Sequence, residues 1–443
     1  MKKITYFLLL ITIAAISCKK DEAISTGIQP VNLTVNLSYG LDSSEYSLPV
    51  NGITVKITNT NSGATQTASS NDSGIVRFKG IQAGTYDIDA NITIDDTTYY
   101  NLTGNLISDN ITFNASEKNT QISVGGDVTL NMILAAGTTG QWVIKQVYYA
   151  GSNATNGAIY RDQFIELYNN SDETLYADSL YIGQVYARQN NTGSTYHVLA
   201  NGQLDWKYAL DMPAGIDPNN DFVYTRSILM VPGTGTTYPV QPGRSIVIAQ
   251  TALNHKTPFT GANGTTISVK DPSLTIDLSG ADFEAYYGDF VSSPLASDVD
   301  NISVPNMVVY QYNGRDYILD NPGRDAYIIF KVDASQSVSS WPSYPLPTIA
   351  APAATATRYI QVPDKYILDG VEVQPSAAED RIPKKLNAAY DAGFTSVPKG
   401  SYSSQSVIRK TLKTVDGRII LKDTNNSTED FDYLDIANPR GFK

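Results

Sequence analysis

The sequence predicts an all-β protein, and three observations carry that expectation. Short apolar or alternating runs recur along the chain, punctuated by turn residues such as Asn51-Gly52, Asn71-Asp72-Ser73-Gly74 and Ala83-Gly84. Tyr outnumbers Phe 29 to 12, and Asn, Ser and Thr are plentiful, a balance that suits sheets with hydrogen-bonding surfaces. The stretch from Trp142 to Gly183 packs three strand signals together, Val143–Tyr149, Gln163–Tyr168 and Leu180–Ile182, joined by turn-rich segments.

At 443 residues the chain has room for two or three domains, each with its own core. Charged residues are 17 % and hydrophobic ones 42 %, the composition of a globular rather than a disordered chain. The formal net charge is −12 and no basic stripe is present, which argues against a nucleic-acid partner. Cys18 is the only cysteine, so no intrachain disulfide can form. With His197 and His255 the only histidines, zinc sites and Ser-His-Asp chemistry have few residues to draw on. No P-loop, Rossmann fingerprint, G-x-S-x-G or H-E-x-x-H occurs. No catalytic residue, metal ligand or cofactor is assigned.

Met1-Lys2-Lys3 is a basic start, and Ile4 to Ile16 is an apolar run of signal-peptide length, too short to span a bilayer. Residues 1–17 therefore read as a signal peptide. Its end, Ala14-Ala15-Ile16-Ser17-Cys18, resembles a bacterial lipobox, with Ala15 where Leu is more usual. That resemblance implies a diacylated Cys18 as the mature N-terminus and the outer membrane as partner through its lipid. Lys19-Lys20-Asp21-Glu22 is similar to the tract that sends Bacteroidetes lipoproteins to the outer face of the outer membrane. The expected location is thus the outer membrane, lipid-anchored and facing the exterior, with residues 18–30 as a tether.

Residues 31–135 form the first expected domain, with strands at Val31–Leu37, Ile53–Asn59, Gly74–Phe78, Thr85–Ile94 and Gln121–Leu134. Regular short strands with these turns argue an antiparallel sandwich. The succession Val50-Asn51-Gly52-Ile53-Thr54-Val55-Lys56-Ile57, Asp72-Ser73-Gly74-Ile75-Val76-Arg77-Phe78 and Ala83-Gly84-Thr85-Tyr86-Asp87-Ile88 resembles the carboxypeptidase-regulatory-like and Cna-B-like sandwiches. Such domains are spacers in extracellular proteins. Some Cna-B domains carry a Lys–Asn crosslink, and Lys56 lies where that lysine can sit; its Asn and acidic partners are not identifiable here.

Ala135 to Gly140 is a small-residue linker, and residues 139–443 form the second domain. Its Phe164-Ile165-Glu166-Leu167-Tyr168-Asn169, Pro242-Gly243-Arg244-Ser245-Ile246-Val247-Ile248-Ala249, and Ser406-Val407-Ile408-Arg409 followed by Asp423-Thr424-Asn425-Asn426 look like elements of a lamin-tail-like domain, an immunoglobulin-type sandwich. The expected whole is two β-sandwich domains in tandem, similar to uncharacterised Bacteroidetes surface lipoproteins. Ala187–Thr237, His255–Pro305 and Ser339–Lys399 lie outside the resemblance and read as long insertions.

Glu166 sits between Phe164 and Tyr168 on one strand face, where burial without a partner is costly. Either it pairs with Arg409 across the sandwich as a structural ion pair, or it faces solvent. The acidic run containing Asp282, Glu284, Asp289, Asp298 and Asp300 either gathers calcium or is a solvated loop. Asp423, Asn425, Asn426 and Asp430 are turn-capping residue types as well as ion ligands.

These features point to a non-enzymatic outer-membrane surface lipoprotein that binds a ligand or an envelope partner, an accessory to a nutrient or iron importer. Two alternatives stand beside it: a carboxylate-based polysaccharide hydrolase with its site in the insertions, and a purely structural or adhesion module.

Overall fold

The computed structural model describes residues 30–443, apart from 41–46, 105–109, 125, 138–139, 191–192 and 334. The expected signal peptide and Cys18 lie outside the described residues. The architecture is all-β and the α-helices are short: Asp96–Thr103, capped by Asp95 and ended by Gly104, and Ser427–Asp430.

Strands from Val31–Tyr39 to Val128–Gly137 form one module with its own core. In Val31–Tyr39, Val31, Leu33, Val35 and Leu37 are buried and the residues between them are not. The period of two turns one face inward and leaves the other to water. Thr54–Asn59 repeats the pattern, so Val55 and Ile57 are buried and Lys56 is exposed. The last strand closes the sandwich by changing partners. Val128 to Leu134 runs parallel to the first strand, and Ala135 to Gly137 pairs with Ile111–Ile122. The turn at Asn71–Gly74 is tight: Asn71 Oδ1 accepts from Ser73 N and Ile75 N, each at 3.0 Å. Gly74 has φ +71°, and a Cβ there would stand 2.6 Å from the Leu37 carbonyl oxygen.

One expected strand in this module is wrong. Gln121–Leu134 is the end of one strand, a turn, and most of the next. The preceding strand, Ile111–Ile122, is not legible in the sequence, because its second half, Ser-Glu-Lys-Asn-Thr-Gln, is polar and reads as loop.

The second module stacks two sheets. One has the order Phe283–Glu284, Ser245–Ala249, Phe164–Asn169, Trp142–Tyr148, Ser406–Arg409, Phe431–Leu434. The other runs Ser343–Pro345, Arg358–Pro363, Phe222–Met230, Tyr181–Val185, Ala326–Phe330, Ile367–Glu372. Ile144, Ile165, Leu167, Ile248 and Val407 belong to the same core cluster as Ile182, Leu229, Ile329 and Val371 of the opposite sheet. Burying each such side chain stabilises by about 1.5–3 kcal/mol.

Both outer faces are covered as well. Tyr148, Phe164 and Val247 pack with Ile276, Leu278 and Val304 on one side. Tyr181, Ile328 and Phe330 pack with Val338, Trp341 and Leu386 on the other. Every residue of Trp142–Tyr148, Tyr181–Val185 and Ala326–Phe330 is consequently buried. The three expected insertions carry structure of their own. They contribute Phe222–Met230, Arg358–Pro363 and Ile367–Glu372 to the second sheet, and they form the covering layers.

Candidate functional site

Glu166 and Arg409 do not pair with each other. Ile165 and Leu167 face the inter-sheet core, so Glu166 must face the outer side of its sheet. There Glu166 Oε1 meets Lys145 Nζ at 2.9 Å and Ser245 Oγ at 2.5 Å, and Oε2 accepts from Gln146 Nε2 at 3.2 Å and Arg440 N at 3.1 Å. The Lys145 ammonium also lies 3.7 Å from the Phe442 ring centroid. Burial pulls the Lys145 pKa down, and the Glu166 charge opposes that shift.

Val407 faces the inter-sheet core, and Arg409, two residues on, shares its side. The arginine does span the sandwich, but to the opposite sheet: Nη2 donates to Asp369 Oδ2 at 2.6 Å. Nη1 donates to Asp423 Oδ1 at 2.9 Å, and Nε donates to the Ile144 carbonyl at 2.9 Å. Asp430 stands 3.6 Å from Nη1. Burial pushes the Asp369 pKa up against the pull of Arg409, and pushes Asp430 up to about 6. Asp430 also accepts from Thr424 N, and Asn426 caps the short helix by accepting from Thr428 N, so this acidic run shapes a turn.

The acidic run 282–300 is not a simple solvated loop. Glu284 is fully buried, with Oε2 accepting from Ala252 N at 2.9 Å and Oε1 from Asn301 N at 2.5 Å. Asp298 accepts from Tyr287 N at 3.0 Å, and Asp282 pairs with Arg440 at 2.8 Å. Burial is the first cause raising Glu284 and Asp298, each to about 7. These carboxylates tie the covering layer to the sheet edge. Among the described residues no three His, Cys, Asp or Glu side chains group as a metal site. The imidazole of His255 is buried, contacts the Thr251 carbonyl at 3.0 Å and is pulled down to about 4 by burial; that of His197 stacks on Tyr208.

Two clefts lie between the two modules. One, about 480 Å³, is lined by Glu117, Asn119 and Asn131 from the first module and by Asn201, Lys384 and Asn387 from the second. Its neighbour, about 280 Å³, is lined by Asn61, Asp87 and Asn119 on one side and by Glu379, Arg381 and Phe394 on the other. Asn119 and Lys384 line both. Lys384 Nζ donates to the Asp391 carbonyl, and Gln203 Nε2 donates to the Lys384 carbonyl at 2.8 Å. The Arg381 guanidinium lies 4.8 Å from the Phe394 ring centroid. Burial raises the Glu117 pKa.

The junction is held near the arginine cluster. Gly140 N donates to Asp423 Oδ2 at 2.7 Å, and Asn114 Nδ2 donates to the Thr424 carbonyl at 2.5 Å. Asp423 thus joins the linker to Arg409 and, through it, to both sheets. No residue of the clefts is legible in the sequence as a binding residue. Their walls come from positions far apart in the chain, and isolated Asn and Gln residues look like ordinary surface.

The fold and junction define a class: an all-β protein of stacked-sheet modules with a polar cleft between them. Residues 241–437 match a family described as protein of unknown function, DUF4876. The chain is similar to a DUF4876 family protein from Bacteroides thetaiotaomicron solved by crystallography, at 24 % identity and a TM-score of 0.51, covering 91 % of this chain and 95 % of that one. That likeness shows the fold. A putative adhesin from Bacteroides ovatus (9 % identity, 35 % of this chain and 54 % of that one) and the major pilin SpaD from Corynebacterium diphtheriae (14 %, 44 % and 48 %) also match, each at a TM-score of 0.16 that carries no argument. No curated protein matches.

Proposed function

We propose that the chain is a non-enzymatic lipoprotein of the outer membrane surface that holds a ligand or an envelope partner at its module junction. Cys18 carries the lipid, and residues 18–30 tether the folded part. The first module, read as carboxypeptidase-regulatory-like, sets the distance from the membrane; the second, read as lamin-tail-like, supplies the second wall of the binding cleft. An outer-membrane importer for a nutrient or an iron-bearing ligand is the partner this arrangement suits.

The observation that carries the reading is the pair of clefts walled by both modules. Ligand sites favour domain interfaces. The carboxylates pushed up to about 7, Glu284, Asp298 and Asp369, do not line either cleft, so the hydrolase alternative gains nothing from them. Affinity purification of the tagged chain from intact outer membranes tests the reading. Co-purification of an importer, and release of a Cys18→Ser variant from the membrane fraction, are expected. Recovery of the tagged chain alone removes the importer, and a Cys18→Ser variant that stays membrane-bound removes the lipid anchor.

A further inference from the structure

We infer that the junction clefts take a neutral, polyhydroxylated ligand, a saccharide of more than one ring. The inference rests on the reading of the junction as a ligand site. Its first support is charge. Glu117 and Lys384 are the charged residues lining the larger cleft, and Asp87, Glu379, Arg381 and Lys384 those lining the smaller, so each sums to zero. A site with balanced charge gives no net attraction to an anionic or a cationic ligand.

The second support is the kind of hydrogen-bonding group presented. Asn119, Asn61, Asn131 and Asn387 are exposed cleft residues. An amide offers donors and an acceptor side by side, which matches a hydroxyl group that does both. Asn131 Oδ1 accepts from Asn36 Nδ2 and Asn387 Oδ1 from Ala389 N, and their side-chain N–H groups make no hydrogen bond among the described residues. The backbone N–H of Asn119 donates to Asp87 Oδ1 at 3.0 Å, while its side-chain amide makes no hydrogen bond among the described residues. Its φ of 57° is a left-handed conformation that Asn tolerates better than most residues. The structure thus holds an uncommitted amide where the two clefts meet.

The third support is apolar surface between these amides. Ile133, 63 % exposed, and Ala388 line the larger cleft, and Phe394 lines the smaller. Such surface suits the C–H faces of sugar rings. Because Asn119 and Lys384 line both clefts, a ligand of several rings crosses from one to the other.

Isothermal titration of the detergent-solubilised full chain tests this with three neutral probes: oligosaccharides from partial hydrolysis of dextran, mannan and xylan. Oligogalacturonate serves as the anionic control. At least one neutral mixture is expected to bind and the control is not. Asn119→Gly, which keeps the left-handed turn, weakens binding about tenfold. Ala388→Trp, which fills the larger cleft, abolishes it, with melting temperatures confirming that both variants fold. Absence of binding by all three mixtures overturns the inference. Binding of the control that Ala388→Trp removes overturns the neutral class and keeps the cleft as a site. Neutral binding unchanged by both variants overturns the cleft as its location. Should Ala388→Trp fail to fold, Asn119→Gly alone decides.

Discussion

The two modules solve the same problem, burying β-sheet, in different ways. In the first, a strand such as Val31–Tyr39 buries alternate residues and wets the rest. In the second, Trp142–Tyr148 and Ala326–Phe330 are buried on both faces because long excursions cover the outer sides. The difference shows in where charge is allowed to go. Lys56 of the first module faces solvent, whereas Lys145–Glu166, Arg226–Asp325, Lys385–Glu372 and Arg409–Asp369 of the second are ion pairs beneath the surface. A covered sheet face has no water to take up a charge, so each needs a partner.

The largest expected effect is at the point where this contrast is sharpest. Arg409→Met leaves Asp369, Asp423 and Asp430 buried without their cation, and should cost about 3–5 kcal/mol in chemical denaturation. A loss below about 1 kcal/mol would show that the carboxylates simply take up protons and that the arginine is dispensable.

Next is Gly74→Ala in the first module. A left-handed alanine, with Cβ pressed toward the Leu37 carbonyl, should cost at least about 1–2 kcal/mol. Because the modules have separate cores, calorimetry should show one transition lowered and the other unmoved. A single transition shifted as a whole would mean the junction couples them into one cooperative unit.

A smaller effect is expected from pH. Burial holds Glu284 and Asp298 up at about 7 and Asp162 and Asp316 up at about 6. Between those values and the unfolded carboxylate range near pH 4, the folded chain binds more protons than the unfolded one. Stability of the second module therefore rises as pH falls from 8 to 5.5, and its melting temperature should climb by several degrees while the first module's changes less. A fall over that interval would show that these groups stay ionised in the fold.

The smallest effect belongs to Lys56→Ala, within about 0.5 kcal/mol, because the side chain is exposed. Intact mass of the native chain should show no loss of ammonia. A loss there, absent from the variant, would reveal a crosslink and overturn the solvated reading of this lysine.

These contrasts also explain what could be read in advance. Val31, Leu33 and Val35 announce their strand because one face meets water and the alternation survives. Phe164 to Tyr168 shows the same alternation, but the sequence does not say that a second layer covers the Glu166 side. Alternation alone therefore leaves Arg409, which faces the other way, as a candidate partner for Glu166. Its true partner, Lys145, comes from the adjacent strand of the same sheet, and Gln146 with the C-terminal Arg440 completes the shell. The excursions follow the same rule: Phe222–Met230 falls outside the resemblance, although Phe-Val-Tyr-Thr-Arg-Ser-Ile-Leu-Met is rich in strand-forming residues.

By itself the sequence determined the all-β class, the inward face of each alternating strand and the turns that end them, since these depend on neighbours within a few residues. Which covering layer lies on which sheet, which charge meets which, and where two walls of amides close on a cleft were decided only by the tertiary structure. Those contacts join different strands and layers, from 21 positions apart for Lys145 and Glu166 to 310 for Asn114 and Thr424, and no local pattern constrains such distances.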